Sequence, residues 1–154
     1  MDIGRLNINI KGIASTGFNG NHVVFEEIET RLGILIPDDY VSFIRTVDGG
    51  HPEIGSFVVP GSSPENFFDV SWFYSFANPQ VENIQRAIDR WANVLGPRNL
   101  PIGKDGGGNQ IYLNFNEPVV SVWLYLHDEN GAKIKVADSF EAFIAGLTAN
   151  PDFI

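Results

Sequence analysis

Cysteine is absent from all 154 residues, which removes disulfides, thiolate nucleophiles and cysteine-held metals together and fits a reducing, cytoplasmic setting. Positive charge is scarce as well: ten Lys and Arg stand against nineteen Asp and Glu, a formal net charge of −9. Binding nucleic acid or anionic lipid requires concentrated positive charge, so neither is an expected partner and a basic protein surface is favoured. The plainer account of the acidity is that it keeps the protein dispersed. No basic N-terminal region leads into an unbroken apolar run, and no later stretch stays apolar over the roughly 20 residues that a membrane helix needs. Neither a secretion signal nor a membrane span is therefore expected. Long linkers, internal repeats and low-complexity segments are missing too. With 44% hydrophobic residues the chain can bury a sizeable core, and one domain over residues 1–154 is the expectation.

What is present is organised around residues 100–115, where an apolar run, the corner Gly106-Gly107-Gly108 and an alternating segment meet. Glycine turns without a Cβ clash, and Asp105 and Asn109 can bond nearby amides, so this reads as a hairpin at the centre of a sheet. A Walker loop or a dinucleotide fingerprint needs other spacings and a following helix; alternation follows here instead.

Upstream, Leu6, Ile8 and Ile10 alternate with Asn7, Asn9 and Lys11 as in an edge strand. Phe25, Ile28 and Leu32 recur at helical spacing before Gly33, and Tyr40, Phe43, Ile44 and Val47 form a second stripe, with Asp38 as its cap and Gly49-Gly50 as its end. Two strands are expected around residues 57–59 and 67–73. Asn78 and Pro79 then read as the cap and first residue of a long helix to Leu95, with Ile84, Ile88, Trp91 and Leu95 inward. Further on, Val120, Val122, Leu124 and Leu126 make the core series of the next strand. Asn130-Gly131 has the chemistry of a type I′ hairpin turn. Asp138 or Ser139 caps a last helix carrying Phe140, Phe143, Ile144 and Leu147. Helices first, a central meander and a closing helix predict an α+β fold with a mainly antiparallel sheet.

The order of these pieces resembles the SUKH superfamily, which includes the yeast cell-wall-synthesis regulator domain and many bacterial toxin-immunity proteins. Four stretches carry the resemblance: residues 28–40 with Ile36-Pro37-Asp38-Asp39-Tyr40, residues 43–52 with Gly49-Gly50, residues 100–109, and the strand ending His127-Asp128 followed by Ala137-Asp138-Ser139-Phe140. Departures are Ile36, where leucine before proline is common, and Val47-Asp48, where asparagine often precedes the glycines. Residues 1–22 read as an N-terminal extension. The resemblance implies an α+β binding scaffold, used in bacteria to neutralise toxins of several unrelated activities, and carries no catalytic residues over.

Residue chemistry points the same way. His22, His51 and His127 lie in three different neighbourhoods, and no metal or cofactor is expected. Asp105, Asn109 and His127 are the one set to which a small-substrate hydrolase reading could attach. The better surface is the sheet face opposite the core series, where Tyr112, Asn114, Trp123 and Tyr125 set aromatics beside amides, as in protein interfaces. Glu117, Asp128 and Glu129 lie at the strand ends and would steer a basic partner. The competing possibility is that the long helix covers this face. The expected function is a bacterial immunity protein that binds a toxin with a basic surface, a nuclease fitting best; a regulatory adaptor is the alternative.

Overall fold

The computed structural model describes residues 1–153 and shows two antiparallel sheets with four α-helices. The smaller sheet joins β1 (Ile8–Ile10), β2 (Ile13–Ala14) and β3 (His51–Pro52) in the order β2-β1-β3. The larger has six strands in sequence order: β4 (Ser56–Val58), β5 (Phe67–Phe73), β6 (Asn99–Asp105), β7 (Gln110–Asn114), β8 (Ser121–Leu126) and β9 (Ala132–Ala137). The helices are α1 (Val23–Leu32), α2 (Asp38–Thr46), α3 (Ile84–Leu95) and α4 (Phe140–Gly146). The fold is a single α+β domain, and the β6–β7 hairpin occupies the middle of its main sheet.

The N-terminal residues are built into the body. Strand β1 is the centre of its sheet rather than an edge, and Asn9 is 7% exposed instead of facing water. Its side-chain amide donates to the carbonyls of Asn7 and His51, and its Oδ1 accepts from Gly12 N at 3.0 Å, so the buried amide is satisfied by the turn it faces. Ile3, Leu6, Ile8 and Phe18 join the main hydrophobic core. The Arg5 guanidinium reaches the far end of the chain and donates to the carbonyls of Leu147, Ile144 and Ala145 at 2.8, 2.5 and 3.0 Å. These carbonyls lie at the C-terminal end of α4, where a cation is favoured by both hydrogen bonding and the helix dipole.

Two caps differ from the sequence reading. Helix α2 begins at Asp38 itself after an extended Pro37, and Asp38 makes no capping bond; Asp39 instead accepts from Tyr40 N at 2.8 Å and from Glu141 N at 3.1 Å, linking the starts of α2 and α4. Helix α3 begins at Ile84, not Pro79. Asn78 and Pro79 form a turn, and Asn83 is the cap, accepting from Gln85 N at 2.7 Å. Two Asn residues five apart offered the same capping chemistry, and the second won because Ser75 bridges to Asn83 and holds that backbone extended. Ser139 caps α4 through Ala142 N at 3.0 Å.

Helix α2 ends at Thr46, before the glycine pair. Gly49 has φ +78°, and a Cβ there would lie 2.8 Å from the Phe73 carbonyl oxygen, so the chain passes against β5 with no room for a side chain. Beside it the buried Asp48 carboxylate accepts from Phe76 N and Ala77 N at 2.6 and 2.9 Å. Burial raises its pKa above the usual carboxylate value despite those bonds.

If Arg5 holds the chain ends together, Arg5→Ala lowers stability by about 1–2 kcal/mol through lost charge-assisted bonds. The check is a fall in the urea midpoint at unchanged m-value; an unchanged midpoint would show the contact to be idle.

Candidate functional site

Strand register decides which side chains share a face. Gln110 pairs with Tyr125, which pairs with Lys133; Tyr112 pairs with Trp123, which pairs with Lys135; and Asn114 pairs with Ser121. Directly opposed residues of antiparallel strands point the same way, so these side chains form one face of β7, β8 and β9. Ile111, Leu124 and Ile134 lie across from one another on the other face, with Leu113 and Val122, over the main core.

Helix α3 lies on the first face. Trp91 packs on Tyr125 with ring centroids 5.9 Å apart, and Lys133 Nζ donates to Leu95 O, the end of that helix, at 2.8 Å. The consequence for Tyr112 is decisive. It is 1% exposed and cannot offer a contact surface in the folded protein, contrary to the expectation that it would anchor a partner. An amphipathic helix with buried Ile84, Ala87, Ile88 and Leu95 has to cover something, and the central strands are what it covers. Gln110 is buried as well, held by Tyr74 Oη at 2.5 Å.

Away from the sheet centre the cover ends. Trp123 and Tyr125 are half-buried, with Trp123 Nε1 donating to Ser121 Oγ at 2.9 Å. With Trp91, also half-buried, they form an aromatic strip between α3 and β9. Its edge is basic, because Lys133 and Lys135 stand opposite Tyr125 and Trp123; Lys135 is paired with Asp138 at 3.1 Å. Trp91, Lys133 and Lys135 were missed as members of this surface. The signal for the lysines was their alternation with Ala132, Ile134 and Val136 next to a strand of known phase.

Asn114, half-buried at the end of β7, accepts from Asn116 N at 2.8 Å and shapes the turn into β8. Glu117 is exposed in that β7–β8 connection. Asp128 and Glu129 are exposed in the loop at the opposite end of β8. The three acidic residues therefore do not gather; they mark two ends of the strip.

The hydrolase set does come together. Asp105 Oδ1 accepts from Gly107 N and Asn109 N at 3.0 and 2.8 Å, its Oδ2 accepts from Asn109 Nδ2 at 2.8 Å, Asn109 Oδ1 accepts from His127 N at 3.1 Å, and His127 Nε2 meets Gly107 O at 2.6 Å. These bonds close the glycine corner and tie it to the β8–β9 loop. Among the described residues no group of three or more His, Asp or Glu is placed to hold a metal ion, and no helix is long and apolar enough to cross a membrane. A hollow of about 590 Å³ lies elsewhere, along residues 77–83 with Arg86 and Arg90.

Burial pushes the Tyr112 hydroxyl up to about 12. The unfolded phenol ionises near pH 10. Tyr112 therefore gives full support below that pH and loses it as pH rises through the folded value. In Tyr112→Phe that part of the alkaline stability loss disappears, read from urea midpoints between pH 9 and pH 12. Tyr112→Ala costs on the order of 3 kcal/mol at neutral pH, since it empties a filled site between helix and sheet.

Comparison with known proteins agrees with this architecture. An uncharacterized protein derived from the SPbeta prophage of Bacillus subtilis (strain 168), YokK, is 26% identical over 148 residues, which cover 82% of this chain and 73% of the relative. The model of the SMI1 / KNR4 family (SUKH-1) matches residues 22–146, from the start of α1 to the end of α4, and the chain belongs to that family.

Proposed function

We propose that this protein is an immunity protein that binds and neutralises a cognate toxin, without catalysing a reaction of its own, in the bacterial cytoplasm. The observation that carries the reading is the aromatic strip of Trp91, Trp123 and Tyr125, left half-open where α3 stops short of the sheet margin. Large aromatics with few rotatable bonds give much contact area at low entropic cost, which suits them as anchors. A scaffold of the SUKH kind supports such a role, and the prophage origin of the Bacillus relative is in keeping with it.

The net charge of −9 favours a basic toxin surface. A nuclease domain meets that requirement, since it must itself attract phosphates. In this reading Trp123 and Tyr125 slow dissociation, while Glu117, Asp128 and Glu129 speed encounter from the two ends of the strip.

Co-expression with a toxin from a neighbouring gene tests the function: growth is rescued and a complex is recovered, whereas failure of both rejects the pairing. Within that complex, Trp123→Ala raises the dissociation rate and costs on the order of 2 kcal/mol of binding. Neutralising Glu117, Asp128 and Glu129 together lowers the association rate and flattens its salt dependence. Equal dissociation rates for Trp123→Ala and the parent would remove the strip from the interface.

A further inference from the structure

Among the described residues Leu35 and Val119, with Ile13, are the most exposed large aliphatic side chains, Leu35 at 81% and Val119 at 65%. They come from distant parts of the chain, the α1–α2 connection and the β7–β8 connection, yet they flank neighbouring hollows. One, of about 420 Å³, is lined by Leu35, Arg98, Phe115, Glu117 and Pro118. The other, of about 380 Å³, is lined by Glu117, Pro118, Val119, Lys135 and Asp138. Glu117 and Pro118 belong to both, so the two hollows share a ridge and form one notched surface around the end of the sheet.

The lining sets Arg98 and Lys135 against Glu117 and Asp138, and of these four only Glu117 is left without a partner among the described residues. The Arg98 guanidinium donates to the carbonyl oxygens of Gly33 and Phe115, which fixes it as a brace between the two connections. Lys135 is held by Asp138 at 3.1 Å. Glu117, at the centre, has neither an ion pair nor a hydrogen bond among the described residues, and Asp38 stands exposed where α2 follows the Leu35-Ile36-Pro37 segment. What remains for a partner is aliphatic surface on either side of a free carboxylate. Side chains as exposed as Leu35 and Val119 add little to the packing of this domain, while polar-rimmed apolar surface is the anatomy of a protein contact.

Resting on the immunity reading, we infer that the notched surface around Glu117 docks a segment of the partner protein in which apolar side chains flank a Lys or Arg, the apolar groups seating against Leu35 and Val119 and the cation on Glu117. Glu117 thereby joins this surface to the aromatic strip, since Ser121 and Trp123 follow the same connection up β8. The contact wraps the strand ends and is not confined to the sheet face.

The test uses the full chain labelled with nitrogen-15 and two synthetic probes, the capped peptides Lys-Leu-Lys-Leu-Lys and Glu-Leu-Glu-Leu-Glu. The basic peptide shifts amide resonances of Leu35, Glu117, Val119 and Val120, and the acidic one does not. Leu35→Ser with Val119→Ser, or Glu117→Gln alone, weakens that binding by about fivefold or more, at unchanged stability because all three side chains are exposed. Shifts spread over the acidic surface at large and indifferent to these substitutions would overturn the inference, as would no shift at millimolar peptide. Toxin rescue is scored separately, so loss of rescue with intact peptide mapping counts against the immunity reading alone.

Discussion

The Asp105 carboxylate holds the corner on which the central hairpin turns. Three consecutive glycines form an entropically expensive corner, and only Gly108, at φ +86°, needs glycine for its backbone angle. Asp105 offsets that freedom by accepting two backbone amides and the Asn109 side chain, and Asn109 passes the constraint to His127 across the sheet. One carboxylate thereby fixes the β6–β7 corner and, through it, the loop that closes β8 and β9. Registers of β7 and β8 follow, and with them the placement of Tyr112 beneath α3 and of Trp123 at its margin. Residues that look like an acid, an amide and a base in sequence work here as one structural clasp.

The apolar periodicity made most of this fold legible. The stripes of α1, α2 and α4 and the alternation of β7 and β8 were readable because one face of each is core and the other is polar. The Asn130-Gly131 turn was equally plain: both residues have positive φ, and Ala132 N donates to Glu129 O across them. Misreadings fell where one chemistry serves two purposes. Asn78 and Asn83 are both competent caps, and Asp38 and Asp39 both sit at a helix start; local sequence cannot rank them, because bonds made by Ser75 and Glu141 decide. The alternation of β1 misled for another reason. Asn9 looks solvent-facing until His51 and Gly12 supply the partners that let an amide be buried.

Tyr112 shows why a site is harder to read than a fold. Its phase in β7 was correct, since it does lie opposite Trp123 on the non-core face. What sequence could not supply was the reach of α3. Helix α3 crosses β6 and ends where Leu95 O meets Lys133, and its dozen residues suffice to cover the sheet centre but not its margin.

 The half-open state of Trp123 and Tyr125 is thus a consequence of helix length. Strand β9, beyond the helix, carries Lys133 and Lys135 on the same side, and charged side chains on an outermost strand discourage further strand pairing there.

The residues that carry the family resemblance and those proposed to meet a partner are different sets. Pro37, Gly49, Asp105, Asn109 and Ser139 are fixed by a helix start, a close backbone approach, a corner and a cap, so substituting any of them disturbs the body of the domain. Leu35, Glu117, Val119, Asp128 and Glu129 are exposed and make few demands on the core. Surface residues of that kind can change with little cost to stability, whereas changes in caps and corners are costly. A scaffold divided in this way can alter what it binds while its backbone stays the same. That division also explains why the sequence announces the fold more clearly than the partner: the recognisable residues are those that the backbone requires, and the proposed contact draws on residues that it leaves free.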